Sequence, residues 1–98
     1  MSVTKKDIVT EISNRTGLTQ VDCVIIVEEL LASISRALAT GHNIEIRGFG
    51  SFKLKKRVAH LARNPRSGEK VEIKAGIKPV FHASRELKDR VNTGKHES

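Results

Sequence analysis

The sequence predicts an α+β fold: two helices, a three-stranded antiparallel sheet drawn out into a long β-ribbon arm, and a short closing helix. Three observations carry this reading. Residues 4–41 hold two stretches of helical apolar spacing, each opened by a Thr/Asp pair and closed by a glycine. Residues 43–81 then switch to period-two alternation around the cluster Asn64-Pro65-Arg66-Ser67-Gly68, which is the signature of a hairpin. That hairpin is too long for its domain. The 13 residues 51–63 extend roughly 43 Å at about 3.3 Å per residue, whereas a compact chain of this size has a radius of gyration of about 13 Å.

The first helix, about residues 4–16, opens with Thr4 and Asp7 as a capping box in which Asp replaces the usual Glu or Gln. Val3 and Ile8 occupy the positions of a hydrophobic staple, Ile8, Val9 and Ile12 share one face, and Gly17 ends the helix. Leu18, Thr19, Asp22 and Cys23 repeat the staple and box at the start of a second helix, about residues 20–39, which Gly41 stops. Cys23, Val24, Ile25, Ile26, Val27, Leu30, Leu31, Ile34, Ala37 and Leu38 run nearly all the way round this helix. One apolar stripe would suffice for one neighbour, so cover is needed on two sides. A second copy of the chain is the economical second cover, because a domain this small buries only a thin core; the sheet is the alternative.

A short strand at about 43–47 leads through Gly48-Phe49-Gly50 into a strand over 49–63, and a return strand covers 69–81, with the arm at about 55–76. The glycines suit backbone angles or close approaches that a Cβ would forbid. Pro79 has no N–H to donate, which puts the return strand at a sheet edge. Ser84 is the N-cap expected for a helix over about 85–91, with Leu87 and Val91 inward, and residues 92–98 read as a frayed tail.

Net charge is +7, and its location says more than its size. Residues 1–52 hold five Lys/Arg against six Asp/Glu, residues 53–78 nine against two, and residues 79–98 four against three. The whole excess therefore lies on the hairpin, the footprint of a polyanion binder. The three aromatics, Phe49, Phe52 and Phe81, all fall in the body of the sheet and are expected in the core. An arm without aromatics disfavours single-strand binding, which stacks bases on such rings.

Other chemistries find little footing. Cys23 sits in an apolar helix with no histidine near it in sequence and reads as a small buried hydrophobe. A lone cysteine excludes an internal disulfide and suits a reducing compartment. His42, His60, His82 and His96 lack metal-ligand spacing, and no nucleophile elbow, P-loop or paired-carboxylate pattern occurs. Neither an enzyme nor a cofactor or metal is expected, and no apolar run approaches the roughly 20 residues of a membrane span or opens the chain as a signal peptide.

Gly48-Phe49-Gly50-Ser51-Phe52 and Arg63-Asn64-Pro65-Arg66-Ser67-Gly68 together resemble the HU/IHF family of bacterial DNA-bending, histone-like proteins, with the likeness running from about Thr4 to about Asn92. The resemblance implies a single domain over residues 1–98, an intertwined dimer with a helical layer, and two β-ribbon arms reaching round duplex DNA in the bacterial nucleoid. It implies that Pro65 wedges between base pairs at the arm tip, with Arg63, Asn64 and Arg66 beside it in the minor groove. Lys55, Arg57 and His60 match arm positions along the groove or its phosphates. Lys53, Lys70, Lys74 and Lys78 supply the surrounding field, and Lys5, His82, Arg85 and Lys88 match body positions that hold the DNA flanks. His60 and His82 replace what are often Arg or Lys, and Ala83-Ser84 replaces a common Pro-Gly. Ile44-Glu45-Ile46-Arg47 and Arg85-Glu86-Leu87-Lys88-Asp89-Arg90 look similar to the IHF beta subunit, where Arg47 matches a site-recognition position.

Between the branches of the family that the chain resembles, the favoured expectation is a dimeric, architectural DNA bender of broad sequence tolerance, self-paired or paired with a paralogous subunit. The subunit of an IHF-like, site-specific heterodimer is the close alternative. A basic module docking on protein or RNA is a further one, since phosphate contacts do not separate RNA from DNA. Blander readings stand beside the site roles: Pro65 and Asn64 as turn chemistry, Lys5 as a solvated helix residue.

Overall fold

The computed structural model describes residues 1–94, which fall into two compact units divided between Arg36 and Ala37. In the first, helix α1 (Lys5–Thr16) follows the Thr4 cap: the Thr4 hydroxyl accepts the Asp7 N–H at 3.2 Å and Asp7 accepts the Thr4 N–H at 3.0 Å. The Thr4 N–H, and secondarily the Thr4 hydroxyl, holds the Asp7 carboxyl below its ordinary range. The cap's stabilisation is therefore present above that ordinary range and lost as pH falls through the lowered value. Thr4→Ala should cost about 1 kcal/mol, read as a Tm lower by about 4–8 °C in thermal unfolding. An unchanged Tm would mean that the cap is idle.

Helix α2 (Gln20–Ala39) starts beneath a second cap, with the Asp22 N–H donating to the Thr19 hydroxyl at 3.1 Å. The intervening turn is closed by side chains, the Ser13 hydroxyl donating to the Leu18 carbonyl at 2.7 Å. Lys5 Nζ and Glu28 Oε1, 2.6 Å apart, link the two helices. Val9 and Cys23 are the buried apolar side chains. Along α2, Cys23, Val27 and Ile34 are covered or half-covered, while Val24, Ile25, Ile26, Leu30 and Leu31 are exposed. The chain thus covers one side of α2.

In the second unit β1 (Ile44–Ile46), β2 (Gly50–Arg57) and β5 (Gly76–Ala83) form an antiparallel sheet in the order β1-β2-β5, and β3 (His60–Arg63) pairs with β4 (Lys70–Ile73). Pro79 lies in edge strand β5, opposite Leu54. The expected strands 49–63 and 69–81 are each interrupted, at Val58 and Ala59 and at Lys74 and Ala75. Alanine is poorly suited to strands, and here Ala59, Ala75 and Gly76 cluster on facing strands. The two ladders nevertheless share one register, with two residues unpaired on each strand, so no bulge intervenes.

The alternation sorts this sheet into two faces. Ile44, Ile46, Phe52 and Leu54 lie on one, with Phe81, Pro79 and Ile77 across the ladder. The Phe81 ring centroid is 5.4 Å from that of Phe49 and 5.0 Å from that of Phe52. The three rings cluster as expected of a core, but within the chain Phe49 remains 46 % and Phe81 40 % exposed. The last turn of α2 lines an apolar hollow with Leu54, Ile77 and Pro79 through Leu38 and Ala39.

Helix α3 (Arg85–Thr93) opens at Ser84, whose hydroxyl accepts the Leu87 N–H at 3.0 Å. It runs past the expected end at residue 91 to a backbone bond from the Gly94 N–H to the Arg90 carbonyl at 3.0 Å, while Asn92 and Thr93 donate their side chains to the carbonyls of Lys88 and Asp89, each at 2.9 Å. Those two residues are therefore helix instead of tail, and the end of the expected tail, with His96, lies outside the described residues.

Candidate nucleic-acid interface

Beyond Phe52, β2 pairs only with β5, so a two-stranded ribbon begins at Lys53 opposite Val80 and ends at Arg63 opposite Lys70. Ten steps at about 3.3 Å give it a length of roughly 33 Å. Because register is kept across the interruption, one face carries Lys53, Lys55, Arg57, Leu61 and Arg63 on the outgoing side. Lys70, Glu72, Gly76, Lys78 and Val80 answer them on the return side. The other face is mostly apolar, with Leu54, Ala62, Val71, Ile73, Ile77 and Pro79.

Cations meet directly on the charged face. Lys55 stands opposite Lys78, and Arg63 opposite Lys70, with Glu72 the acid along this face of the paired ribbon. Like charges directly across a ladder are destabilising. Water and salt relieve part of that repulsion, and a polyanion laid along the face would relieve more.

The tip is a turn braced by its own side chains. The Asn64 carboxamide oxygen accepts the Arg66 N–H at 2.9 Å, the Asn64 carbonyl accepts the Gly68 N–H at 2.8 Å, and the Asn64 N–H donates to the Glu69 carbonyl at 2.7 Å. Gly68 has φ +74°, a left-handed conformation that a side chain would strain. Asn64 is thus the brace of the turn, and exposed Pro65 and Arg66 sit at its apex.

The structure brings some of the expected site residues together and separates others. Arg47 and His82 line one shallow groove with Glu45, Ser51, Ser84 and Glu86. Glu45 and Glu86 escape a reading that searches for cations alone, although Glu45 lies two residues from Arg47 in the sequence. Arg85 and Lys88 belong to α3. Lys5 is in the other unit and paired with Glu28. His60 falls opposite Ile73, on the face away from the cation row, and its Nδ1 lies 2.8 Å from the Val58 carbonyl oxygen. The Arg57 Nε–H donates to the Lys74 carbonyl at 3.0 Å.

Among the described residues no helix is long and apolar enough to cross a membrane. The model of the family described as "Bacterial DNA-binding protein" matches residues 3–92. The chain is 41% identical over 96 residues to the integration host factor subunit beta of Pseudomonas putida (strain W619), covering 97% of this chain and 98% of that protein. It is 44% identical over 91 residues to the integration host factor subunit beta of Burkholderia cenocepacia (strain HI2424), covering 92% and 85% respectively. Among solved structures it is similar to an Anabaena HU–DNA cocrystal structure, with a TM-score of 0.81 at 28% identity, covering 93% of this chain and 99% of that one. HU from Thermotoga maritima matches with a TM-score of 0.63 at 25% identity, covering 90% and 97%. With the family model spanning most of the sequence and relatives this similar along their length, the chain belongs to the bacterial DNA-binding protein family, the HU/IHF family, whose members are DNA-binding proteins and not enzymes.

Proposed function

We propose that the chain is a beta-type subunit of an IHF-like dimer that bends duplex DNA in the nucleoid. One observation carries the DNA-grip part of this reading: the ribbon opposes Lys55 with Lys78 and Arg63 with Lys70 on a single face. A face roughly 33 Å long on which cations outnumber the acid Glu72 tracks phosphates along a groove. Lys53, Lys55, Arg63, Lys70, Lys74 and Lys78 would supply that grip, Arg66 would enter the minor groove beside the tip, and Arg47, His82, Arg85 and Lys88 would meet the flanks.

The resemblance read from the sequence favoured broad sequence tolerance, and the relatives support the other branch, because those at 41% and 44% identity are named beta subunits of integration host factor. The test is to purify the chain by itself and titrate it with random duplex and with site-bearing duplexes. A requirement for a second, alpha-type subunit, or strong discrimination between sites, is expected. Tight binding of random duplex by a self-paired chain would instead favour an HU-like role, the reading that its structural neighbours support. The dimer itself is supported by the uncovered face of α2. Ile26→Glu with Leu30→Glu should convert the assembly to monomer or unfold it, as sedimentation would read.

The exposure of Pro65 at the apex of a turn that Asn64 already braces supports a role for it as the wedge. Unstacking a base step costs a few kcal/mol, offset when the bent duplex meets more of the cation face. Pro65→Ala should lower the mean bend measured by energy transfer between duplex ends more than it lowers affinity. An unchanged bend would remove the wedge from the account.

A further inference from the structure

The ribbon's interruption leaves main-chain carbonyls that the ladder no longer serves, and on each strand a side chain from the site set takes one up. On the return strand the Lys74 carbonyl accepts the Arg57 Nε–H at 3.0 Å. On the outgoing strand the Val58 carbonyl lies 2.8 Å from His60 Nδ1. A carbonyl can only accept, so this contact puts the ring proton on Nδ1. Arg57 reaches Lys74 by crossing the ribbon over Gly76, its partner in the register. A Cβ at Gly76 would lie 2.9 Å from Arg57 Nη2 and 3.7 Å from its Nε, so the bare glycine leaves the guanidinium room to cross.

We infer that Arg57 and His60, with Gly76 making room, are positioning residues that brace the joint between the sheet and the distal ribbon, and so set the direction in which the tip is presented. The inference concerns the free chain, and only its effect on bending rests on the DNA reading. Without the braces, two unpaired residues per strand form a hinge, and β3–β4 becomes an isolated hairpin, which is marginal in water. With them, the tip arrives at the duplex already oriented. Affinity then gains from the ordering that need not occur on binding.

Amide hydrogen exchange of the purified full chain tests this without DNA. Arg57→Ala, His60→Ala and Gly76→Val should each speed exchange across residues 60–63 and 70–73 by about fivefold, the equivalent of one net hydrogen bond of about 1 kcal/mol. Gly76→Val is the informative variant: it retains every charge and crowds the crossing, and because valine also favours the strand, faster exchange there would have to come from the lost brace. With duplex added, it should keep the wild-type salt slope while broadening the distribution of bend angles. Unchanged exchange in all three variants would overturn the inference. So would faster exchange with an unaltered bend distribution, and so would an Arg57→Ala variant whose only change is a salt slope smaller by about one, the signature of a simple phosphate contact. Faster exchange in a chain whose wild type binds no duplex would leave the brace standing and remove the DNA reading instead.

Discussion

Raising the salt from about 50 to about 200 mM should weaken duplex binding by roughly three to five orders of magnitude, the loss expected for about six to ten phosphate contacts. The ribbon supplies six cations for such contacts from one chain: Lys53, Lys55, Arg63, Lys70, Lys74 and Lys78. The physical source is the release of counterions that the duplex condenses along its backbone, so the slope of log affinity against log salt counts neutralised phosphates. Arg63→Ala and Lys55→Ala should each weaken binding and lower that slope by about one. A flat salt response would rule out a phosphate-dominated interface, and slopes unaltered in both variants would mean that the ribbon lies elsewhere in the complex.

Gly50→Ala should be the most damaging single methyl in the sheet. A Cβ there would lie 2.5 Å from the His82 carbonyl oxygen and 2.6 Å from the tip of the Phe81 ring. The first is backbone of the partner strand and cannot swing aside. Overpacking of this kind costs about 2–3 kcal/mol, which in a domain of this size lowers Tm by roughly 10–20 °C. Because Gly50 begins the strand from which the ribbon springs, weaker DNA binding should accompany the lower Tm. A variant with wild-type thermal unfolding would show that β2 and β5 part readily here.

Much of this was legible in the residues. Helix ends are local events: Thr4 and Asp7 cap α1 because a hydroxyl and a carboxylate three residues apart reach the free N–H groups of one turn. Ser84 does the same for α3, and Asn64 and Gly68 make the tip of the ribbon from neighbours in sequence. The last turn of α3 had no comparable signal, since Asn and Thr side chains that bond a carbonyl four residues back, as Asn92 and Thr93 do, are neutral to unfavourable within a helix.

What could not be read is what depends on two strands meeting. Period two says that Lys53, Lys55 and Arg57 share a side and that His60 falls on the other, yet only the register with β5 sets Lys55 against Lys78, and only the register with β4 shows that the alternation survives the interruption. The interruption at Ala59 and Ala75 arises because weak strand formers fall nearly opposite one another, a coincidence that neither strand holds alone. Sequence by itself determined the helices, the caps, the tip and the concentration of positive charge on one hairpin, because those follow from spacing along the chain. Only the tertiary structure decided which cations share a face, and that Arg57 and His60 turn back onto the ribbon's own carbonyls, because those follow from which residue stands across the ladder.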